Sequence, residues 1–357
     1  MRKLATIRRI KNISPIEGAE FIEKATIDGW SAVIAKGSFK VGDFCVYCEI
    51  DSIMPERKEF EFLRPRHFRI RTIKLRGQIS QGIIFPLSIL DQFGELKSVI
   101  FDERWTALLK INNSDVCIPI VSGEDVTKLL GVTKYDPPIP AELAGKVKGQ
   151  FPSHSIKTDE ERIQNLLEKY DEYKKETWIA TEKLDGTSGS FHIYDDIFGV
   201  SSRNLELLET EGNTFWRVAR ELDLENKMRD YMESHDEKAL TLQGELIGSS
   251  IQKNKYKLKG QTVKFFRAFD PITYRYHSDA NFKMMISSMD LDTVPIVETN
   301  FQLPEKLQDL IDYADGKSAL YDTKREGIVF VATNYTDGQG RLSFKVISNK
   351  FILKHND

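Results

Sequence analysis

The 357-residue sequence has only three cysteines and no long apolar run. Three cysteines cannot form the disulfide framework of a small secreted protein. Cys45 and Cys48 are spaced C-x-x-C, but no second pair completes a zinc site, and on a strand they would face opposite sides. No apolar run approaches the ~18 residues of a membrane helix, and residues 1–9 lack the apolar centre of a signal peptide. These absences predict a cytoplasmic protein without a membrane partner.

A strong net charge is also missing, since the total is −3, but the charges are unevenly distributed. Residues 1–80 carry 16 Lys and Arg against 10 Asp and Glu. Basic residues cluster at Arg64, Arg66, Arg69, Arg71, Lys74 and Arg76, and again at Lys253, Lys255, Lys257 and Lys259. A single such cluster is usually a solvated face, whereas two clusters in one chain favour binding to a phosphate backbone.

The N-terminal third consists of short apolar stretches separated by glycine and proline. Residues 69–75 alternate basic and apolar side chains, which predicts a half-buried strand with a cationic outer face. Short consecutive strands over residues 1–118 favour a small barrel, and the OB-fold is the barrel that most often binds nucleic acid. An SH3-like barrel is the alternative that the pattern leaves open.

The middle of the chain predicts a domain boundary. Pro137, Pro138 and Pro140 exclude a helix or central strand, so we place a linker at residues 119–150. Thr158 and Glu161 then form a possible capping box, followed by apolar residues at helical spacing up to Tyr170. Residues 151–357 mix strands and helices without a regular repeat, which predicts an α+β domain.

The most informative stretch is Glu182-Lys183-Leu184-Asp185-Gly186-Thr187-Ser188, which follows a β-rich run. On a strand, Lys183 and Asp185 point to the same face, and Gly186 permits a tight turn or a close approach to a ligand. A lysine beside a carboxylate suits a nucleophile that attacks phosphate, once its amine has lost a proton. For this stretch alone, a surface ion pair is the simpler interpretation.

Lys-x-Asp-Gly resembles the first motif of the covalent nucleotidyltransferases, which include polynucleotide ligases and mRNA capping enzymes. Further stretches resemble later motifs of that family in the same order: 202–204, 243–248, 265–270, 326–330 and 342–346. The resemblance implies that Lys183 takes up the nucleotide. The other implied contacts are Arg203 to ribose or the 5′-phosphate end, Glu245 to ribose or metal-bound water, Phe269 to the base, Glu326 to a metal, Lys345 to the α-phosphate and Glu182 to adenine.

The residues around the motifs resemble the RNA ligases in particular. Thr187 and Ser188 follow the glycine. Capping enzymes and most DNA ligases have an arginine at the position of Ser188. The β-rich region precedes the catalytic domain, and the last motif lies near the end of the sequence, as in Naegleria-type RNA ligases. One departure is Ile347, where many nick-sealing relatives have a second lysine, a place that Lys350 could take.

The resemblance therefore implies an ATP-dependent RNA ligase that joins 3′-OH and 5′-phosphate RNA ends as a monomer. Asp185, Glu245 and Glu326 are the expected ligands of Mg²⁺, or of Mn²⁺. The expected RNA contacts are Arg69, Arg71, Lys74, Arg76, Lys157 and Arg162. A DNA ligase, a capping-type guanylyltransferase and a non-catalytic RNA-binding protein are the alternatives.

Overall fold

The chain forms two compact units in the computed structural model, one ending at residue 138 and the other spanning residues 139–355. The structure describes residues 3–101, 104–135, 145–333 and 341–355. Within these ranges, none of the helices has the length and apolar character needed to cross a membrane. Each unit has its own hydrophobic core.

The first unit consists mostly of short antiparallel strands. They are β1 (Ala5–Arg9), β2 (Asn12–Pro15), β3 (Ile22–Ile27), β4 (Trp30–Ala35), β5 (Phe44–Cys48), β6 (Ser52–Ile53), β7 (Ile73–Leu75), β8 (Gln78–Ser80), β9 (Ile83–Pro86), β10 (Gly94–Phe101), β11 (Arg104–Ile111), β12 (Cys117–Pro119) and β13 (Thr133–Lys134). They pair in the orders β1-β5-β9, β2-β3-β4, β7-β8, β10-β11-β12 and β13-β6. The central strand β5 is buried on both faces, which places both Cys45 and Cys48 in the core.

The basic strand predicted for residues 69–75 is shorter than expected, since β7 begins only at Ile73. Arg69 makes an isolated bridge to Ile53 and belongs to no strand. β7 and β8 form a hairpin whose two turn residues, Arg76 and Gly77, have φ values of 47° and 85°. Two consecutive positive φ values are the geometry of a tight hairpin turn that matches the twist of the strands.

The predicted linker at residues 119–150 is too long at both ends. Helix α1 (Thr127–Leu130) is buried in the first unit, where the Thr127 hydroxyl accepts hydrogen bonds from the backbone of β1. β13 pairs with β6 in the same unit, whereas β14 (Val147–Gln150) pairs in the second unit. The proline-rich stretch that suggested the linker lies outside the described residues.

The second unit is α+β, as predicted. Its further strands are β15 (Trp178–Lys183), β16 (Thr187–Tyr194), β17 (Ile197–Ser202), β18 (Leu205–Leu207), β19 (Leu240–Gly248), β20 (Gln261–Asp270), β21 (Arg275–Tyr276), β22 (Ile296–Phe301), β23 (Gly327–Ala332) and β24 (Ser343–Ile347). Its helices are α2 (Tyr170–Tyr173), α3 (Thr214–Glu221), α4 (Leu224–His235), α5 (Asp279–Ser288), α6 (Leu307–Ala314) and α7 (Asn349–His355). A seven-stranded sheet has the order β14-β18-β17-β16-β19-β20-β21, and a four-stranded sheet has the order β22-β15-β23-β24.

The helix predicted to begin near Thr158 does not form. Short 3₁₀ turns at Ile163–Asn165 and Leu167–Lys169 precede α2, and no side chain caps the first turn. The backbone oxygen of Glu161 instead accepts a hydrogen bond from the backbone N–H of Lys345 at 2.8 Å. Pairing with β24 takes the backbone groups that a helix would have used.

Candidate active site

Lys183 ends strand β15 at the centre of the four-stranded sheet. Its backbone is in register with Gly327 of β23, so the preceding residue, Glu326, comes beside it. The Lys183 Nζ lies 2.7 Å from Oε1 of Glu326. The two motif residues, 143 positions apart in sequence, therefore form one ion pair, as the resemblance predicted for a shared cleft.

Two motif glycines permit the close packing around this pair. A Cβ at Gly186 would lie 2.4 Å from the backbone oxygen of Leu246, and one at Gly327 would lie 2.2 Å from that of Val346. Both neighbours are backbone atoms of paired strands, so neither can move away without disturbing the strand pairing. The glycines are thus required by close approach of the backbone.

The carboxylates of the cleft control the protonation of Lys183. Burial favours the neutral amine, but Glu326, Glu245 and Asp185 outweigh it and raise the pKa of Lys183 above its ordinary value. Burial raises the pKa of Glu245 to about 7; the Lys183 ammonium opposes this shift, and the Glu326 carboxylate adds to it. Ser188 donates a hydrogen bond to Oε2 of Glu245 at 3.1 Å. Free Lys183 is therefore held as an ammonium.

A second group of cations lies close to Lys183. Burial, together with the nearby charges of Arg162 and Lys183, lowers the pKa of Lys345 to about 8. The backbone of Arg162 forms an isolated parallel β-bridge with that of Lys345. Arg203 forms an ion pair with Asp159. Three cationic side chains concentrated in one place suit the phosphates of a nucleotide.

The 156–162 segment, which carries Arg162, is anchored by a buried polar network. Arg267 donates hydrogen bonds to Oε1 of Gln243 at 2.6 Å, to Oε1 of Glu160 at 3.1 Å and to the backbone oxygen of Lys157 at 2.9 Å. Gln243 donates to the backbone oxygen of Ile156. Arg267 and Gln243 belong to two of the recognised motif stretches, but their role as anchors was not predicted.

Asp185 is held from two sides by neighbouring residues of one loop. Its carboxylate pairs with the Lys255 ammonium, and its backbone N–H donates to the Tyr256 hydroxyl at 2.7 Å. Lys255 was noted only as part of a basic cluster, because 70 residues separate it from Asp185 in the sequence.

The three predicted metal ligands are not gathered into a ready-made site. Among the described residues, no group of three or more His, Cys, Asp or Glu side chains is arranged to hold a metal ion. Glu326 and Asp185 each face a lysine, and Glu245 accepts from Ser188. The donor set still fits Mg²⁺ or Mn²⁺, because such ions are commonly bound by one or two carboxylates together with waters and substrate phosphates.

The stacking role expected for Phe269 is wrong. Its ring is fully buried, edge-on to Tyr274 and Tyr276, and so has no free face for a base. Phe266 is half-buried instead and packs against the small apolar cluster that contains Leu184, the residue after Lys183. A bulge in the β19–β20 pairing, where Gln243 opposes Arg267 but Gly244 opposes Phe265, leaves Phe266 unpaired and turns its ring to that side.

Glu182 is buried on the strand before Lys183, where it accepts a hydrogen bond from the backbone N–H of Ala319 at 2.8 Å. Burial raises the pKa of its carboxyl. Lys350, the possible substitute for a second motif lysine, lies 3.4 Å from Asp315 and is largely exposed. The adenine contact of Glu182 stays a prediction.

The predicted RNA-binding residues fall into two groups. Arg71, Lys74 and Arg76 are exposed on or beside the β7–β8 hairpin. Arg69 is committed to structural contacts, a 2.8 Å ion pair with Asp51 and a stacked position on the ring of Tyr135, so we withdraw it as an RNA contact. Lys157, in the second unit, is exposed and donates to Asn204 at 3.2 Å.

Comparison with known proteins agrees with this arrangement. A family model described as an OB-fold domain matches residues 4–87, and the RNA ligase family model matches residues 176–347. The structure of a Naegleria gruberi RNA ligase Lys-to-Ala mutant with ATP and Mn is similar, with a TM-score of 0.81 and 37% identity over 99% of each chain. The structure of the same ligase with PPi has a TM-score of 0.80 and 38% identity over 100% of each chain. No curated protein matches the chain.

An OB-fold unit followed by a domain with a lysine-centred cleft is the arrangement of a covalent nucleotidyltransferase. The chain belongs to the RNA ligase family. The predicted OB-fold is confirmed, which decides against the SH3-like alternative. The predicted branch of the superfamily is confirmed as well.

Proposed function

We propose that this protein is an ATP-dependent RNA ligase whose nucleophile is Lys183. The observation that carries the proposal is the Lys183–Glu326 ion pair beside the cations Lys345, Arg162 and Arg203. This arrangement offers an amine that can attack a phosphate and charges that can hold the phosphates in place. The ATP and Mn of the similar Naegleria gruberi structure support the choice of nucleotide and metal.

Three transfers complete the reaction. Nζ of Lys183, after losing its proton, attacks the α-phosphorus of ATP and expels pyrophosphate, which leaves a lysyl-AMP phosphoramidate. An RNA 5′-phosphate oxygen then attacks that phosphorus and releases the lysine. Finally the 3′-hydroxyl attacks the 5′-phosphate and AMP departs, which leaves a phosphodiester. Splitting the reaction in this way gives the last step a good leaving group.

The remaining residues assist these transfers. Lys345 neutralises the α-phosphate, Arg162 and Arg203 contact other phosphate oxygens, and Phe266 lines the side of the base. A divalent cation held by Glu326, Glu245 and Asp185 would neutralise charge on the phosphates. Engaging these carboxylates also weakens their hold on the Lys183 proton, because their negative charge is what raises its pKa.

The N-terminal unit binds the RNA in this proposal. Arg71, Lys74 and Arg76 present three cations on or beside one small hairpin, and contacts between cations and phosphates are independent of sequence. The substrate is RNA with a 5′-phosphate and a 3′-hydroxyl. We further propose that the protein acts as a monomer in the cytoplasm.

Label transfer tests the proposal. The purified protein is incubated with α-labelled ATP or GTP and Mg²⁺, and then with nicked duplexes whose 3′-hydroxyl end is RNA or DNA. We expect a labelled adduct from ATP alone, its loss in Lys183→Ala, and sealing of the RNA-ended nick. An adduct from GTP would indicate a capping-type enzyme, sealing of all-DNA nicks a DNA ligase, and no adduct at all a non-catalytic protein.

A further inference from the structure

The loop between β19 and β20, residues 249–260, has an unusual backbone. Five of its non-glycine residues have positive φ: Ser250 (66°), Gln252 (43°), Lys253 (60°), Asn254 (45°) and Lys257 (50°). Each such residue costs free energy and persists only where its surroundings enforce it, which happens most often at functional sites. The Asn254 side chain closes the loop through two hydrogen bonds to the backbone of Leu258.

This loop delivers a lysine to the active site. Lys255 and Asp185 are both mostly buried, with side chains 13% and 15% exposed, and their charged groups are in contact. The ring of Phe351, from α7, lies 4.1 Å from the Lys255 ammonium and covers it. The adjacent Tyr256 holds the backbone of Asp185, so the loop fixes both the main chain and the charge of that residue.

The two strand-end carboxylates are thus neutralised in the same way. Glu326 faces the Lys183 ammonium at 2.7 Å, and Asp185 faces the Lys255 ammonium. A partly buried carboxylate without a counter-cation is costly, which explains why each has a lysine in the free protein. An ammonium in contact with a carboxylate competes with a divalent cation for it, because the two positive charges repel each other.

We propose that Lys255 is the resident counter-cation of Asp185 and that it competes with the divalent cation for this carboxylate. The inference rests on the proposed function only in taking Asp185 as part of the metal site. Lys255 is a positioning residue in this scheme, since it acts on the metal through Asp185. Its competition lowers the affinity of the free enzyme for the metal while keeping Asp185 compensated.

Metal binding to the nucleotide-free protein tests the competition directly. Mn²⁺ titrations followed by electron paramagnetic resonance would compare wild type with Lys255→Met, which keeps the length of the side chain but removes the charge. We expect Lys255→Met to bind Mn²⁺ about tenfold tighter or more, since close charge pairs couple at least this strongly. Lys255→Arg should stay near wild type, as should Lys259→Met, an exposed position on the same loop.

Thermal unfolding supplies a second measurement. Saturating Mn²⁺ should raise the melting temperature of Lys255→Met more than that of wild type, because the metal then replaces the counter-charge that Lys255 supplied to Asp185. The double variant Asp185→Asn/Lys255→Met should lose this extra gain. Unchanged or weaker Mn²⁺ binding by folded Lys255→Met would overturn the inference. Adduct formation by the wild-type protein, measured separately, shows whether the ligase proposal itself stands.

Discussion

The ion pair between Lys183 and Glu326 places the proposed nucleophile against a carboxylate that opposes its reactivity. Their charged atoms are 2.7 Å apart, and Glu326 is the strongest of the charges that raise the pKa of Lys183. An ammonium has no lone pair and cannot attack phosphorus. The free enzyme is therefore held in an unreactive protonation state until the carboxylate is engaged elsewhere.

Replacing Glu326 by Gln should consequently have two opposite effects. Without metal or nucleotide, the pKa of Lys183 should fall, so an amine-acylating reagent should label this lysine faster at a given pH. Adenylylation with Mg²⁺ should instead fall by about 10²-fold or more, the scale for losing one strong transition-state contact.

Peptide mass spectrometry would measure labelling at Lys183, with exposed Lys259 as the internal reference, and α-labelled ATP would measure adenylylation. Equal labelling rates in wild type and Glu326→Gln would show that the ion pair does not govern the lysine. Unchanged adenylylation would give Glu326 a structural role only.

The two phenylalanines of β20 should respond differently to alanine. Phe266→Ala should raise KM for ATP with little change in the free energy of unfolding, because its ring is only half-buried and packs against the cluster that contains Leu184. Phe269→Ala should cost about 3–5 kcal/mol of stability, as expected for a fully buried aromatic ring. Denaturant unfolding and ATP titrations separate the two. A selective rise in KM for Phe269→Ala would restore its role at the base.

Phe266 and Phe269 show what could not be predicted from the sequence. The resemblance to the family's motifs implied that the strands bearing Lys183, Glu326 and Lys345 would line one cleft, and strand alternation supported it. The ring assignment failed because a one-residue bulge in the β19–β20 pairing, invisible in the sequence, decides which ring turns outward.

Local signals failed where long-range contacts took over the same groups. The capping pattern at Thr158 and Glu161 predicted a helix, but the Glu161 backbone pairs with Lys345 and the half-buried Glu160 forms an ion pair with Arg267. The Lys255–Asp185 pair depends on an irregular loop, for which neither periodicity nor spacing gives a signal.

Nucleotide binding should weaken as the pH rises through about 8, the pKa of Lys345. Below that value the folded protein carries the cation that contacts phosphate, and above it the amine is neutral. Between about 8 and the ordinary value of 10.5 the unfolded chain binds a proton that the folded chain lacks, so Lys345 makes the free energy of unfolding rise with pH.

Isothermal titration with an ATP analogue that cannot transfer AMP would follow the affinity from pH 7 to 9.5. Lys345→Arg should flatten the profile because arginine stays charged, whereas Lys350→Arg, on the exposed lysine paired with Asp315, should leave it unchanged. A wild-type affinity that is flat across this range would show that Lys345 does not contact the phosphates.

The β7–β8 hairpin should govern sealing but not self-adenylylation. Arg71, Lys74 and Arg76 lie in the unit that ends at residue 138, whereas every nucleotide motif lies in the other unit. Removing three phosphate contacts should lower the magnitude of the slope of log RNA affinity against log salt concentration by about 2 to 3. Each contact releases close to one counterion. Adduct formation at Lys183 needs no RNA and should be unaffected.

The triple variant Arg71→Ala/Lys74→Ala/Arg76→Ala would be compared with Lys36→Ala/Lys40→Ala/Lys58→Ala, which removes the same charge from exposed positions of the same unit. Both variants would be assayed for adduct formation and for sealing of a 5′-phosphorylated nick at several salt concentrations. We expect a sealing defect in the hairpin variant alone, measured at sub-saturating RNA, that is largest at low salt and narrows as salt rises, because wild type loses the benefit of its extra phosphate contacts. Equal defects would attribute the effect to net charge, and no defect in either would mean that RNA is bound elsewhere.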